Sequence, residues 1–380
     1  MDLSDDIVIQ PVIEVQFPPV VKIVGVGGCG GNVAQHVYDL GLKEVSFAVC
    51  NTDRKALRDS TVPVKVQLGD GLGAGGDPEI GLLVAERSAE DIRHLFDDDP
   101  QMAFITAGLG KGTGTGAGPY VAQVAKSCEI LSVGFVCLPP DIEGERKMKL
   151  AMRGLEQMRK SADVVIVVDT QRIFDLYTEL TIEEAFKKAD DIMADAAKAM
   201  VDIVTKSGRM TIDMADVRTA LRNGGDVVMA YGRASGENRV QEALSNALNS
   251  PLLLQPKLSG AKDMLLNVMT SAEGSLYAKE LKSIENYLRE KQGVDRSTNL
   301  ILGYMLDETL GDDVSVTIVA TGLRPVIRDR VTLDMETNSS PMDSSSVSSD
   351  PHPETFWNLG DMTDEEMRTP AYDRAGRKRI

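Results

Sequence analysis

The segment Phe104–Pro119, FITAGLGKGTGTGAGP, joins an apolar run to a loop with six glycines and then to a predicted helix over Tyr120–Lys126. Glycine tolerates positive φ and has no Cβ, so successive backbone N–H groups can point at one anion, and a helix N-terminus adds partial positive charge. The loop is not a Walker A motif, because Lys111 is followed by Gly112 rather than by Ser or Thr. The segment predicts a phosphate-binding loop of another class, with a flexible, ligand-free loop as the alternative.

An alternation of strands and helices surrounds this loop. Short apolar runs predict the strands, and helical periodicity predicts the segments between them. The expected strands are Val20–Val24, Val45–Val49, Ala103–Thr106, Leu131–Leu138 and Val164–Val168, and the expected helices are Val33–Leu40, Glu79–Leu95, Tyr120–Lys126 and Arg146–Lys160. Such a pattern predicts the α/β class: a Rossmann-like, doubly wound parallel sheet with its ligands at the carboxyl ends of the strands.

A long helix follows this alternation. It is expected from Thr181 to about Lys206, opened by a capping box of Thr181 and Glu184. At about 1.5 Å per residue it would span about 40 Å, enough to join two domains. Beyond it the pattern is mixed and predicts a smaller α+β domain with elements at Arg239–Asn249, Met264–Met269, Ala278–Lys291, Asn299–Tyr304 and Val314–Thr321.

The chain beyond Arg330 changes composition. The run TNSSPMDSSSVSSDPHPE is too poor in apolar residues to fold and predicts a disordered linker. The final MRTPAYDRAGRKRI combines proline, an aromatic residue and a basic cluster, which favours a docking peptide over a merely solubilising terminus. The expected divisions are therefore 1–18 (an extension), 19–180, 181–207, 208–324, 325–364 (the linker) and 365–380 (the docking peptide).

Composition limits the classes of function. With 380 residues, 42% of them hydrophobic, the chain can bury a large core, and a net charge of −17 argues against nucleic-acid or anionic-membrane binding. Its four cysteines lack CxxC spacing, so we expect reduced thiols and no protein-bound metal. An acidic N-terminus and the lack of an apolar run near the roughly 20 residues of a membrane span predict a cytoplasmic protein without membrane insertion.

A second glycine motif leaves two kinds of nucleotide site open. Gly25–Gly30 matches GxGxxG, and Asp53 follows a predicted strand, as in the dinucleotide site of a nicotinamide-dependent dehydrogenase. Two further glycine-rich loops, Gly69–Gly76 and Gly108–Gly118, are not needed by a dinucleotide fold. Three such loops on one sheet favour a nucleoside triphosphate.

A pair of carboxylates suggests chemistry. Asp213 and Asp216 are three residues apart at a predicted helix start, so they share one face and could orient an attacking water. The same spacing also suits an N-cap and a first-turn acid that compensates the helix dipole. Spacing alone leaves both interpretations open.

The order of motifs between Gly25 and Gly322 resembles the FtsZ family of bacterial cell-division GTPases in the tubulin superfamily. The motifs are GVGGCGGN, NTD, GLGAGGDPEIG, AGLGKGTGTGAGP, TIDMADVRTAL, SGEN, NSPLL and VTIVATG. The resemblance implies a GTP-binding domain at 19–180, a central helix at 181–207 and a GTPase-activating domain at 208–324. It also implies GTP or GDP as the bound nucleotide, with Mg²⁺ held through the nucleotide and by no metal site of the protein.

The resemblance also implies a set of nucleotide-binding residues. Those expected around the phosphates are Gly27, Gly28, Cys29, Gly30, Gly31, Asn32, Ala74, Gly75, Gly110, Gly112, Thr113, Gly114 and Thr115; those expected at the ribose and base are Glu143, Lys147, Thr170, Phe186 and Asp190. A carboxylate at Asp190 suits the paired donors of guanine, whereas Phe186 alone would be interpreted as core packing. The chain departs from the family pattern at Lys111, Lys147, Thr170 and Thr211.

Assembly and catalysis are implied together. In the family, the segment corresponding to Thr211–Asp216 enters the nucleotide site of the next subunit, so Asp213 and Asp216 would be catalytic only within a head-to-tail homopolymer, the cytokinetic ring at mid-cell. The tail at 365–380 resembles the family's terminal peptide, which binds membrane-tethering and regulatory division proteins. The alternative is a filament-forming scaffold that binds GTP and hydrolyses it weakly, which Thr211 leaves open.

Overall fold

The computed structural model describes residues 18–222, 224–250 and 258–323. The expected linker and docking peptide, and all but residue 18 of the expected extension, lie outside these ranges. The strands are β1 Val21–Val26, β2 Val45–Asn51, β3 Val64–Gln67, β4 Met102–Gly108, β5 Leu131–Leu138, β6 Val164–Asp169, β7 Gly208–Met210, β8 Gly225–Ala234, β9 Asp263–Thr270, β10 Asn299–Leu306 and β11 Val314–Thr321.

The α-helices pack mainly on the two faces of the sheet. They are α1 Gly27–Asp39, α2 Arg54–Asp59, α3 Pro78–Arg87, α4 Ala89–His94, α5 Gly112–Ser127, α6 Glu145–Ser161, α7 Thr170–Leu176, α8 Ile182–Thr205, α9 Met214–Leu221, α10 Arg239–Leu248 and α11 Ala278–Glu290. Within the described ranges, no helix combines the length and apolarity that crossing a bilayer requires.

Within the described residues, all strands belong to one eleven-stranded sheet with the order β3-β2-β1-β4-β5-β6-β8-β11-β9-β10-β7. The first six are parallel and follow the 3-2-1-4-5-6 order of a doubly wound fold, which confirms the predicted α/β architecture. The direction of winding reverses between β1 and β4. The glycine-rich segments after these two strands therefore meet at the crevice where ligands bind in such sheets.

The parallel strands are buried on both faces. Along β4, Met102 and Phe104 belong to the core that includes α1 and α8, whereas Ala103, Ile105 and Ala107 belong to the core that includes α5 and α6. Alternation of side chains along a strand explains this division, and burial on both faces explains the nearly continuous apolar sequence.

The long central helix is present as predicted. Thr181 caps α8, its hydroxyl accepting from the Glu184 N–H, while Glu184 Oε2 accepts from the Thr181 N–H at 2.8 Å. Its 24 residues span about 36 Å at 1.5 Å each. The smaller α+β domain is also joined through the sheet, because Val164–Ile166 of β6 pair in parallel with Gly225–Val227 of β8.

Two predicted helix starts are wrong. Helix α1 begins at Gly27 rather than near Val33, and α5 begins at Gly112 rather than near Tyr120. Glycine is a poor helix former, so the glycine runs predict loops. Here, however, close packing requires glycine within the helices: a Cβ on Gly116 would lie 2.0 Å from the Pro78 carbonyl oxygen.

The predicted helix over Glu79–Leu95 is also wrong in one respect. It is two helices, α3 and α4, separated at Ser88, where φ is −98° and ψ is 22°. The chain turns there because the Ser88 N–H still bonds back to α3 while the following residues begin a new helix.

A matched pair of glycine substitutions tests whether close packing explains the glycine-rich helices. We expect Gly116→Ala to destabilise the nucleotide-free chain by about 2 kcal/mol or more, because the new methyl group overlaps the α3 backbone. Gly31→Ala should instead stabilise it by up to about 1 kcal/mol, since that Cβ meets no described atom within 4 Å. Thermal unfolding of both variants provides the measurement. Equal melting temperatures would contradict the packing explanation.

Candidate nucleotide-binding site

Two helix N-termini lie side by side at the switch point of the sheet. Helix α1 follows β1 directly, α5 follows β4, and a Cβ on Gly27 would lie 3.1 Å from the Gly114 nitrogen. Among the described residues, neither N-terminus has a side-chain cap and neither first turn contains an acid. The free N–H groups and both helix dipoles therefore point at the same place, which makes it a candidate anion-binding site.

The loop after β3 closes the same site. The Gly73 N–H donates to the Thr52 carbonyl at 2.8 Å, and the Thr52 and Thr113 hydroxyls are 2.7 Å apart. Ala74 packs so closely on α5 that a Cβ at Gly112 would lie 2.6 Å from its own Cβ. Thr52 thus connects the end of β2, the Gly69–Gly76 loop and the first turn of α5. The sequence analysis did not identify this role.

The surface enclosed by these loops carries hardly any side chains. At Gly28, Gly31, Gly73, Gly75 and Gly76, a Cβ would meet no described atom within 4 Å. Open space beside bare backbone is the shape that a chain of phosphates needs. The residues present therefore fit a nucleotide polyphosphate.

Thr115 and Gly110 shape the loop between β4 and α5. The buried Thr115 hydroxyl accepts from the Gly110 N–H at 2.9 Å. Gly110 has φ of 103°, and a Cβ there would lie 2.9 Å from the Lys147 carbonyl oxygen. Lys147 pairs with Glu143 at 3.2 Å, so these two candidate ribose contacts lie beside the glycine loop.

At the other end of the cleft, polar groups from three helices converge. The Asn32 side chain of α1 lies beside the Asp190 carboxylate of α8. Thr170, the first residue of α7, is buried beside Cys137. Phe186 lies one helical turn before Asp190 and is 38% exposed, so its ring is available to a planar ligand and is not part of the described core. These residues form the candidate base end of the site.

Burial raises the pKa of Asp190 to about 6, and the charge of Asp191 acts in the same direction. The charge of His36 and the interaction with the Asn32 side chain oppose this shift. His36 itself lies 3.2 Å from Asp191. Near neutral pH the Asp190 carboxylate is ionised and therefore acceptor-only, whereas it gains a donor as the pH falls below 6.

Asp213 and Asp216 form a capping box. Asp213 Oδ1 accepts from the Asp216 N–H at 2.8 Å, and Asp216 Oδ2 accepts from the Asp213 N–H at 3.3 Å. The capping interpretation of this pair is therefore correct, but capping uses only one oxygen of each carboxylate. In the described part of the chain, the second oxygen of each carboxylate has no hydrogen-bond partner, so both can still bind a water.

The carboxylate pair lies near the amino ends of the parallel strands, whereas the glycine loops lie at their carboxyl ends. Arg218 of α9 donates to the carbonyls of Gln101 and Glu129, which precede β4 and β5. The glycine loops follow the other ends of β1 and β4. Seven residues of β4 at about 3.3 Å each separate the two edges by about 20 Å, so these carboxylates cannot reach an anion bound by their own chain.

Asp53 has a structural role. Its Oδ1 accepts from the Lys55 N–H at 2.8 Å and also bonds the Ala56 N–H, which caps α2. In a dinucleotide site the corresponding acid would bind a ribose.

Comparison with known proteins defines the class and then the family. Residues 20–178 match the family described as Tubulin/FtsZ family, GTPase domain, which places the chain among the tubulin-like GTPases. Residues 225–324 match the FtsZ family, C-terminal domain. A cell division protein FtsZ of Porphyromonas gingivalis is 40% identical over 311 residues, covering 80% of this chain and 67% of that protein. The chain belongs to the FtsZ family.

Solved structures agree with this assignment. An FtsZ dimer of M. jannaschii, described as empty, superposes with a TM-score of 0.73 at 36% identity over 80% of this chain and 88% of that one. CetZ2 of Haloferax volcanii, described as a GTPγS-bound protofilament, gives a TM-score of 0.70 at 22% identity over 83% of this chain and 96% of that one. The second similarity supports the fold alone.

The raised pKa of Asp190 predicts a specific pH dependence of stability. In the unfolded chain this group titrates near its ordinary 3.8, so between about pH 4 and pH 6 the folded state holds a proton that the unfolded state lacks. Its contribution to stability therefore falls as the pH rises through this window. We expect Asp190→Asn to be more stable than the wild type at pH 7.5 by roughly 1–2 kcal/mol, with the difference vanishing toward pH 4.

Denaturant unfolding across this pH range provides the measurement. The exposed Glu183→Gln on the same helix is the control and should show no such trend. A constant difference between Asp190→Asn and the wild type at all pH values would contradict the assigned pKa.

Proposed function

We propose that this protein is a self-assembling GTPase that binds GTP between α1, α5 and the Gly69–Gly76 loop and hydrolyses it only at contacts between subunits. Asp213 and Asp216 of one subunit complete the nucleotide site of the next, and the resulting filaments form the cytokinetic ring at mid-cell, in the cytoplasm. Residues 19–180 form the GTP-binding domain, 181–207 the central helix and 208–324 the GTPase-activating domain.

The separation between the two halves of the site is the observation that carries this proposal. The anion cradle, formed by the first turns of α1 and α5 and by the Gly69–Gly76 loop, lies at the carboxyl ends of the parallel strands. The carboxylate pair lies at their amino ends, about 20 Å away along the strands. Neither half reaches the other within one chain. Stacking a second copy in the same orientation brings the carboxylate pair of one subunit onto the anion cradle of its neighbour. Such a head-to-tail contact can repeat without forming a closed ring, and so generates an open filament.

Each part of the nucleotide has a chemically suitable place in the cleft. Backbone N–H groups of the first turns of α1 and α5 suit the phosphates, and the Glu143–Lys147 pair suits the ribose hydroxyls. Ionised Asp190 accepts from the guanine N1–H and amino group, a paired donor edge that adenine lacks. A Mg²⁺ carried by the phosphates would neutralise charge on the transferred group.

Phosphoryl transfer requires mainly positioning and charge stabilisation. The capping box holds both aspartates in a defined orientation before any contact with a partner is made. Their two free oxygens can accept both protons of one water and so direct its lone pair at the neighbour's terminal phosphate. The structural and the catalytic interpretations of these residues are therefore compatible.

The comparisons support the proposed assembly. The M. jannaschii FtsZ, which is 36% identical, is described as a dimer. Residues 365–380 complete the proposal as a docking peptide for membrane-tethering and regulatory division proteins, on the strength of the tail's basic and aromatic composition.

Mixing two inactive variants tests the shared site. Gly28→Asp places a carboxylate where phosphate should bind, its Cβ meets no described atom within 4 Å, and the Asp213 loop stays intact. Asp213→Asn keeps the N-cap, because Asn caps as well as Asp, but removes the charge. We expect each variant alone to lose at least ~100-fold in phosphate release from GTP. An equimolar mixture should regain activity, since one contributes the loop and the other the nucleotide site.

Several readouts accompany this experiment. Glu242→Gln, which removes an exposed first-turn acid from α10, should leave the rate unchanged. ATP should be a poor substrate, and the rate per subunit should rise with protein concentration. A mixture no more active than its components would rule out the shared site. GTP-dependent sedimentation without turnover in the wild type would instead favour the weakly hydrolysing scaffold.

A further inference from the structure

Two thiols meet on the floor of the cleft. Cys29 is partly exposed in the first turn of α1, and Cys137 is buried near the end of β5. Cys137 is the register partner of Gly108 on β4, so side chains at these two positions share one face of the sheet. A Cβ on Gly108 would lie 2.6 Å from the Cys29 Cβ and 3.0 Å from its Sγ. Because Gly108 has no side chain, Cys29 occupies that space, one strand away from Cys137.

The contacts of Cys137 agree with this geometry. Its Sγ lies 2.8 Å from the Met193 sulfur, and its neighbours include the side chains of Cys29 and Thr170. Interaction with the Cys29 thiol, followed by burial, raises the pKa of Cys137. The other two cysteines have different surroundings: Cys50 lies within the core, where burial raises its pKa to about 12, and Cys128 ends α5.

We propose that Cys29 and Cys137 form a redox-active pair that closes to an intramolecular disulfide on reaction with a peroxide. The geometry points to this pair: the Cys29 Cβ lies 2.6 Å from the Cβ position of Gly108, and Gly108 is the register partner of Cys137 on a strand about 4.8 Å away. A disulfide needs two Cβ atoms about 3.5–4.5 Å apart, so a small shift of the first turn of α1 would allow the bond. A disulfide requires both thiols at this separation, so the proposal concerns the pair and not either thiol alone. The assignment goes beyond nucleotide hydrolysis, because it can be measured without any nucleotide.

The reaction proceeds in two steps. Cys29 reacts first, because it is the thiol that solvent reaches. Its thiolate attacks one oxygen of hydrogen peroxide, which forms a Cys29 sulfenic acid and releases hydroxide. The Cys137 sulfur then attacks the Cys29 sulfur, the S–OH bond breaks, and the departing hydroxide takes the Cys137 proton as water. Overall, two thiols are oxidised to one disulfide and one peroxide is reduced to two waters.

The disulfide would act on the cleft because of where its two halves lie. Cys29 is in the first turn of α1, whose N–H groups face the anion cradle. Cys137 lies beside Thr170 at the proposed base end, where the charge of Asp190 helps to raise its pKa. Tying α1 to β5 at this point constrains both ends of the cleft. The consequence for nucleotide rests on the proposed function. If oxidation weakens nucleotide binding, bound nucleotide must disfavour oxidation by the same factor.

The test uses the full chain, free of nucleotide, treated with hydrogen peroxide and mapped by mass spectrometry without reduction. We expect one disulfide, between the peptides of Cys29 and Cys137, which dithiothreitol reverses. Cys29→Ser and Cys137→Ser should each abolish it, whereas Cys50→Ser and Cys128→Ser should leave its rate unchanged. Phenylarsine oxide, which binds two neighbouring thiols without oxidising them, should label the reduced wild type once and neither variant of the pair.

Three results would overturn the pair: oxidation of Cys29 to sulfinic acid with Cys137 still free, a disulfide to Cys50 or Cys128, or a wild type that phenylarsine oxide does not label. A parallel arm with GTP separates this inference from the proposed function. We expect GTP to slow formation of the disulfide by about fivefold or more. A disulfide that forms equally fast with GTP would support the thiol pair and contradict the proposed position of the nucleotide.

Discussion

Close approach of one backbone to another at the glycine-rich junctions determines the rest of this structure. A Cβ at Gly30 would lie 2.0 Å from the Thr106 carbonyl oxygen, and one at Gly114 would lie 2.3 Å from that of Gly108. Each glycine within a helix costs about 1 kcal/mol relative to alanine, a cost offset by packing against the sheet. The same contacts bring the first turns of α1 and α5 together. Packing and anion binding therefore have one physical cause.

The parallel sheet separates the two halves of the proposed active site, and α8 connects their surroundings. Phe186 and Asp190 lie in the first half of this helix, at the proposed base end of the cleft. Its last residues lead through β7 into the segment that carries Asp213 and Asp216. One continuous helix and the short strand β7 therefore connect the residues of the proposed base end to the segment with the carboxylates. The aspartates keep their own geometry through the capping box.

Periodic segments were predictable and tertiary contacts were not. Leu131–Leu138 and Val314–Thr321 agree with the structure to the residue, and the Thr181 cap is correct, because alternation and capping are local signals. The starts of α1 and α5 could not be predicted, since helix propensity excludes glycine and only the neighbouring backbone explains it. Thr52 and Cys137 were missed for a related reason: their partners, Thr113 and Cys29, are far away in sequence. The nucleotide contacts came from the family resemblance and remain predictions.

The placement of cradle and carboxylates at opposite edges has a consequence for the ends of the proposed filament. A row of n subunits contains only n−1 completed sites, because one terminal subunit exposes its cradle to solvent with no aspartates above it. That subunit retains an intact triphosphate, while subunits in the interior convert theirs to diphosphate. The two ends thus differ chemically as well as geometrically, and the nucleotide bound at each position records how long that position has been covered.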